Sequence, residues 1–206
     1  SDSGQSLVDM MELDLIVGSG GVLSHAPRRE QSAKMLIDSF LPEGITSLAV
    51  DSIFMMPQLG VMANIENKEI AEQARVAALE VFEKDCLIRL GTCIAPVGKL
   101  SGSEIPLQVN LEFKNGEKKD IEVRYGELIR IEAEYEEIKA VLTPAKGVDV
   151  GAGDGEQIST TIFGGQVGIV FDGRGRPLEI DASSSKRISN LKKWSEAMNE
   201  YPEIGK

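Results

Sequence analysis

The sequence predicts a mixed fold, an α/β first part followed by a β-rich part and a closing helix. Three observations carry that reading. Over residues 7–82, apolar runs of strand length alternate with segments of helical period. Over residues 86–180, short alternating segments are separated by glycine-rich turns. From Ser184 onward, Ile188, Leu191, Trp194 and Met198 recur at three- and four-residue spacing, the mark of an amphipathic helix.

Each element of the first part has its own signal. Leu13, Leu15, Ile16 and Val17 form a short apolar strand that runs straight into Gly18, Ser19, Gly20 and Gly21. Pro27 opens a helix to about Leu41, with Met35, Leu36 and Phe40 apolar, and Pro42-Glu43-Gly44 stops it. Residues 45–54 read as a second strand, apolar enough to be buried on both faces. Pro57 at a first turn opens a short helix over 57–63. A longer helix over 67–82 gathers Ile70, Ala74, Ala77, Ala78 and Val81 on one face.

The second part reads as six to eight short strands. Cys86 to Cys93 forms one, and the odd spacing puts the two thiols on opposite faces as small core residues rather than as a disulfide. Val109, Leu111 and Phe113 alternate with polar residues up to Asn115-Gly116, which predicts a type I′ hairpin returning through Ile121 and Val123. Strands over 127–133 and 138–142 follow, and Glu132, Glu134, Glu136 and Glu137 make an acidic, solvated edge. Asp149 and Asp154 sit among glycines without the spacing of a calcium loop, so they read as turn residues. A last hairpin is expected between 158–163 and 166–171, joined at Gly164-Gly165. Arg174 and Arg176 lie in the following turn, before a final strand at 178–180. This pattern predicts a small β-barrel or β-sandwich, with the tail helix docked on the chain's own core.

Composition excludes several functions. The 206 residues carry 33 acidic and 22 basic side chains, a net charge of -11. That balance argues against a nucleic-acid groove or an anionic membrane surface. No apolar run approaches the roughly 18 residues that span a bilayer, and the polar Ser1 to Ser6 start shows no signal peptide. Two cysteines and a single histidine, His25, cannot build a structural zinc site. A cytoplasmic protein with reduced thiols is expected.

The glycine turn is the sharpest local feature. A buried strand ending in consecutive glycines lets a ligand approach the backbone, because no Cβ blocks contact. The dinucleotide fingerprint G-x-G-x-x-G fails at Leu23, and no Gly-Lys-Ser/Thr follows to make a phosphate loop. His25 reads as a helix-entry or surface residue.

The stretch from Leu15 to Ser24 resembles the adenosine motif of the actin/Hsp70/sugar-kinase ATPase fold, and Pro57-Gln58-Leu59-Gly60-Val61-Met62-Ala63 resembles the hinge helix of that fold. More specifically, residues 14–29 and 42–57 are similar to the accessory protein of adenosylcobalamin-dependent glutamate mutase, the family called GlmL or MutL and distinct from the mismatch-repair protein of that label. The resemblance continues through 90–98, 147–153 and 164–178. It implies an actin-like (ribonuclease H-like) ATPase that acts as a chaperone or reactivating factor for a cobalamin-dependent mutase. It further implies a C-terminal portion of that protein, because the phosphate loops and magnesium-binding aspartate of the ATPase have no counterpart here.

On this basis residues 1–84 are expected to be the C-terminal part of an ATPase lobe carrying the adenosine motif. Residues 85–181 are expected to be the β-rich domain, and 182–206 the tail helix. Gly18, Ser19, Gly20 and Gly21 would line half of an ATP or ADP site, with no catalytic residue, no metal and no hydrolysis by this chain alone. The expected partners are the mutase subunits and the upstream lobe, with neither nucleic acid nor membrane. Two other classes stay open: a Rossmann-like enzyme fragment binding NAD(P) or S-adenosylmethionine, and a scaffold module without ligand.

Overall fold

The computed structural model describes residues 8–201; Leu7 and the polar Ser1 to Ser6 start, with the signal-peptide reading made on it, lie outside them. After a 3-10 turn at Met10–Glu12 come β1 (Leu15–Gly18), α1 (Gly21–Ser24), α2 (Arg29–Phe40), β2 (Gly44–Asp51), α3 (Met56–Ala63) and α4 (Ala71–Val81), which passes into a π-helical turn, Phe82–Cys86. The strand-rich part holds β3 (Leu87–Ala95), β4 (Val97–Gly98), β5 (Leu107–Glu112), β6 (Lys118–Val123), β7 (Leu128–Ile131), β8 (Glu137–Pro144), β9 (Val148–Asp149), β10 (Ile158–Phe163) and β11 (Gly168–Asp172). Helix α5 (Ser184–Met198) is the last element among the described residues; residues 202–206 of the expected 182–206 tail lie outside them.

One five-stranded sheet in the order β1-β2-β3-β11-β7 organises the molecule, so strands from both sides of residue 84 share it. It is mixed: β1 pairs parallel with β2 and β3 with β11, while β2–β3 and β11–β7 are antiparallel. Its two faces bury different partners. Ile16, Leu48, Val50, Leu90, Cys93 and Val170 pack beneath Ala33, Leu36 and Ile37 of α2 and Trp194 and Met198 of α5. Ile45, Ile94, Ile169 and Phe171 point the other way, into a core shared with Val109, Leu111, Ile138 and Leu142 of a four-stranded antiparallel sheet, β10-β8-β5-β6. Successive strand residues thus serve opposite cores, as a period of two requires.

Leu90 and Cys93, three apart, nevertheless face the same helices. The register explains it: Leu48 lies opposite Gly91 and Ala49 opposite Arg89, so β3 carries one extra residue, a bulge. Gly91 there has φ +138, and a Cβ on it would fall 1.7 Å from the Gly168 carbonyl oxygen.

Several expectations require correction. Among the described residues no barrel closes; β10 and β6 are the two edges of an open sheet packed on the larger one. The Gly164-Gly165 hairpin does not form, because β10 pairs with β8 while β11 enters the other sheet. The two glycines carry the chain between sheets: a Cβ at Gly165 would sit 2.5 Å from the Leu90 carbonyl carbon, and one at Gly164 2.0 Å from the Glu134 carbonyl oxygen. The Asn115-Gly116 turn is longer than type I′. Phe113 N–H donates to the Glu117 carbonyl and only Gly116 has positive φ, which is a three-residue loop ending in a left-handed glycine. Glu132, Glu134 and Glu136 lie in the connection between β7 and β8 rather than on a strand face, and residues 178–180 form no strand. Cys86 ends the π-helical turn instead of opening a strand; both thiols are free and buried. Ile188 and Leu191 of the tail helix stay largely exposed, and only Trp194 and Met198 of the predicted stripe are buried.

A buried ion cluster fixes α5 and the end of α2 to β11. Asp172 is fully buried and receives Arg174 Nε and Nη2, both at 2.8 Å, and Arg176 Nη2 at 2.8 Å. Arg174 also reaches Asp38 of α2 at 2.8 Å and lies 5.0 Å over the Trp194 ring. Arg176 Nε donates to the Pro42 carbonyl at 2.9 Å, and Trp194 Nε1 to that of Gly126 at 2.8 Å. Arg174 and Arg176, read as ligand-free turn residues, bind an anion supplied by the chain itself. Burial alone would raise the Asp172 carboxyl, but the hydrogen bonds and charges of Arg174 and Arg176 outweigh it and hold the group below its ordinary 3.8.

A carboxyl depressed in the folded state adds stability that is complete above its unfolded pKa and is lost as pH falls through the folded one. Urea midpoints should therefore drop below about pH 4 more steeply for the native chain than for Asp172→Asn. At neutral pH, Asp172→Ala should cost about 3–5 kcal/mol, because it strands a buried guanidinium.

Candidate functional site

The glycine turn stands at the C-terminal end of β1, and each of its residues does something different. Gly18 is a packing residue: a Cβ there would lie 2.8 Å from Leu23 Cδ1 and 2.9 Å from Leu36 Cδ2. Gly20 has φ +102 and caps α1, accepting the N–H groups of Leu23 and Ser24 at 3.1 and 2.9 Å. A Cβ on Gly20 or Gly21 would meet nothing within 4 Å. These two glycines, with exposed Val22 beside them, present bare backbone to open space.

Ser19 points inward. Its hydroxyl donates to Asp51 Oδ2 at 3.3 Å, and Asp51, at the end of β2, is fully buried. The same carboxylate accepts the N–H of Met55 at 3.1 Å and of Met56 at 2.9 Å, capping the entry to α3. Ser24 Oγ donates to the Asp51 carbonyl, so α1 is tied to the same residue. Ser32 of α2 donates in turn to the Leu23 carbonyl at 2.8 Å, and Arg29 to that of Ser24 at 2.9 Å. Asp51 thus joins the glycine turn to the 52–55 turn. No single motif marks it in the sequence; the available signal is an acidic residue ending an apolar strand a few residues before a proline-opened helix.

The 52–55 turn is held in a costly shape. Phe54 has φ +59, rare for an aromatic residue, and the residue is 53% exposed. Ser52 anchors the other end, its N–H and hydroxyl donating to the Cys86 carbonyl at 2.8 and 2.7 Å. Burial pushes the Cys86 thiol up, and the Asp51 and Asp85 carboxylates add to that, so it holds its proton at neutral pH and is a poor nucleophile. Beyond the turn, Val61, Met62, Ile70, Val76 and Leu79 are exposed apolar residues on α3, α4 and the link between them, while Leu59, Ala78 and Cys86 form a small core.

His25 is an exposed residue at the C-terminal end of α1. Asp149 Oδ1 accepts the N–H of Gly151 at 2.7 Å and of Gly153 at 2.9 Å, the turn role expected of it. Among the described residues, no group of three or more His, Cys, Asp or Glu side chains is placed to hold a metal, and no helix is long and apolar enough to cross a membrane.

The segment that builds this site also carries a family likeness. Residues 3–80 match the family model described as MutL protein. The matched span takes in β1, the glycine turn, Asp51, α3 and nearly all of α4. No curated protein and no solved structure matches the chain.

Removing the Asp51 carboxylate leaves two backbone N–H groups and a serine hydroxyl without their acceptor. Asp51→Ala should lower stability by about 1–3 kcal/mol and speed hydrogen exchange at the Met55 and Met56 amides. Ser19→Ala, which removes one long bond, should cost less than about 1 kcal/mol in the same denaturant titration.

Proposed function

We propose that the chain is part of an accessory, reactivating-factor-like protein for an adenosylcobalamin-dependent glutamate mutase. Gly18, Ser19, Gly20 and Gly21 contribute one wall of an adenosine-nucleotide site, and the strand-rich part serves as a protein-interaction region. The observation that carries this reading is the MutL match over the segment that folds the turn. The unshielded backbone of Gly20 and Gly21 supports it, since a nucleoside could approach without meeting a side chain. The exposed apolar residues of α3 and α4 support it too, since a further lobe or mutase subunits could cover them. In this reading ATP or ADP is held, not hydrolysed, by this chain; the groups that position phosphates and metal come from elsewhere.

Calorimetric titration with ATP, ADP and NADH tests the nucleotide half. ATP or ADP should bind, and both Gly20→Val and Gly21→Val should abolish the signal. The second variant matters because Gly21 lies in α1 with open space around its Cβ position, so valine there shields the backbone without straining it. NADH binding with ATP and ADP silent would replace the reading with a Rossmann-like one. Silence toward all three, together with failure of immobilised chain to retain glutamate mutase subunits, would reject it altogether.

A further inference from the structure

On the face of the large sheet that looks away from α2, one recess lies outside everything described above. It has a volume of about 460 Å³ between the start of β3 and the β7–β8 connection. Arg89 projects into it, and its guanidinium carbon lies 5.1 Å from the centroid of the Tyr135 ring. That ring stacks in turn on Phe163, with centroids 5.6 Å apart and planes at 26°. A cation–π contact uses the charge of the guanidinium and none of its N–H donors, so these stay available to an anion.

Two carboxylates, Glu83 and Glu134, line the same recess. Among the described residues, Arg89, Glu83 and Glu134 form no ion pair with each other or with any other group. Leu87 and Tyr135 line the recess beside them. A simple anion such as phosphate would meet Arg89 but be repelled by the two glutamates, and a simple cation would meet the reverse. A ligand bearing both charges a few ångströms apart complements all three.

The walls are fixed in advance. Gly165 N–H donates to the Ala133 carbonyl at 2.9 Å, Gln166 N–H to that of Arg89 at 3.0 Å, and Val167 N–H to that of Leu90 at 2.8 Å. The bulge in β3 sets the side of the sheet on which Arg89 emerges. We propose that this recess binds a small zwitterion of the α-amino-acid class, with its carboxylate on Arg89 and its ammonium between Glu83 and Glu134.

The test is a heteronuclear NMR titration of the whole chain with each L-α-amino acid in turn, following the amides of residues 87–89, 134–135 and 165–166. At least one amino acid should shift them in a saturable way. Its amide derivative, which lacks the carboxylate, and its des-amino analogue, which lacks the ammonium, should each bind about tenfold more weakly or worse, the factor that about 1.4 kcal/mol represents. Arg89→Met, which keeps the apolar stem, should weaken the parent amino acid by about the same factor, with Arg89→Lys falling between. The proposal is overturned if no amino acid shifts these amides at about 10 mM, well above a millimolar Kd. It is equally overturned if the amide or the des-amino analogue binds as well as the parent. Those arms use the native chain and do not depend on how a variant folds.

Discussion

The contact on which the rest of the molecule depends is the approach of Gly91 to Gly168. No side chain fits there, since a Cβ on Gly91 would land 1.7 Å from the Gly168 carbonyl oxygen. That closeness lets β3 and β11 pair in parallel and so joins the first strands of the chain to its last. The bulge beside it resets the alternation of β3, turning Leu90 and Cys93 to the helices while Arg89 emerges on the opposite face. A larger residue at Gly91 would have to push β3 from β11, and one at Gly168, whose Cβ would fall 2.1 Å from the Ile131 carbonyl oxygen, would push β11 from β7; a close-packed interior resists both.

What the bulge arranges, the Asp172 cluster secures. A buried carboxylate surrounded only by apolar groups would take up a proton; here two arginines keep it ionised, and each is tied to a further element. Arg174 reaches Asp38 and the Trp194 ring, Arg176 reaches the Pro42 carbonyl, and so α2, the α2–β2 turn, β11 and α5 converge on one charge. Buried ion clusters of this kind add little net stability but penalise any arrangement that separates their members. This accounts for the docking of α5, whose apolar stripe is thin: Trp194 and Met198 are buried while Ile188 and Leu191 are not.

The sequence was legible where periodicity is local. β1, α2, β2, α3 and α5 fall close to where apolar spacing, proline and glycine put them, and the glycine turn falls at the end of β1, where the consecutive glycines put it. It was not legible where pairing is non-local. Gly164-Gly165 between two apolar runs looks the same whether the runs pair with each other or enter separate sheets, and only the packing of Gly165 against Leu90 decides. The unpaired, buried thiols of Cys86 and Cys93 are as expected, but the two do not share one strand, since a bulge and a π-helical turn intervene and neither has a signature in single residues. Asp51 was missed as part of the site because its partners, Ser19, Met55 and Met56, lie on both sides of it in sequence and meet only after β1 and β2 align.

The register of the large sheet divides its work between its two ends. Gly18 lies opposite Val50, and Val50 opposite Ile88, so the glycine turn, Asp51 and the start of β3 share one end. Gly44 lies opposite Ala95, Phe171 pairs with Ile94 and Asp172 with Leu128, so the ion cluster occupies the other. The first end carries the exposed features: bare glycine backbone, Phe54 in a strained turn, and the unpaired charges of the Arg89 recess on the opposite face. The second is pinned by paired charges and by Trp194. A scaffold anchored at one end can hold strained or uncompensated groups at the other, because the cost of keeping them in place is borne by packing they do not share.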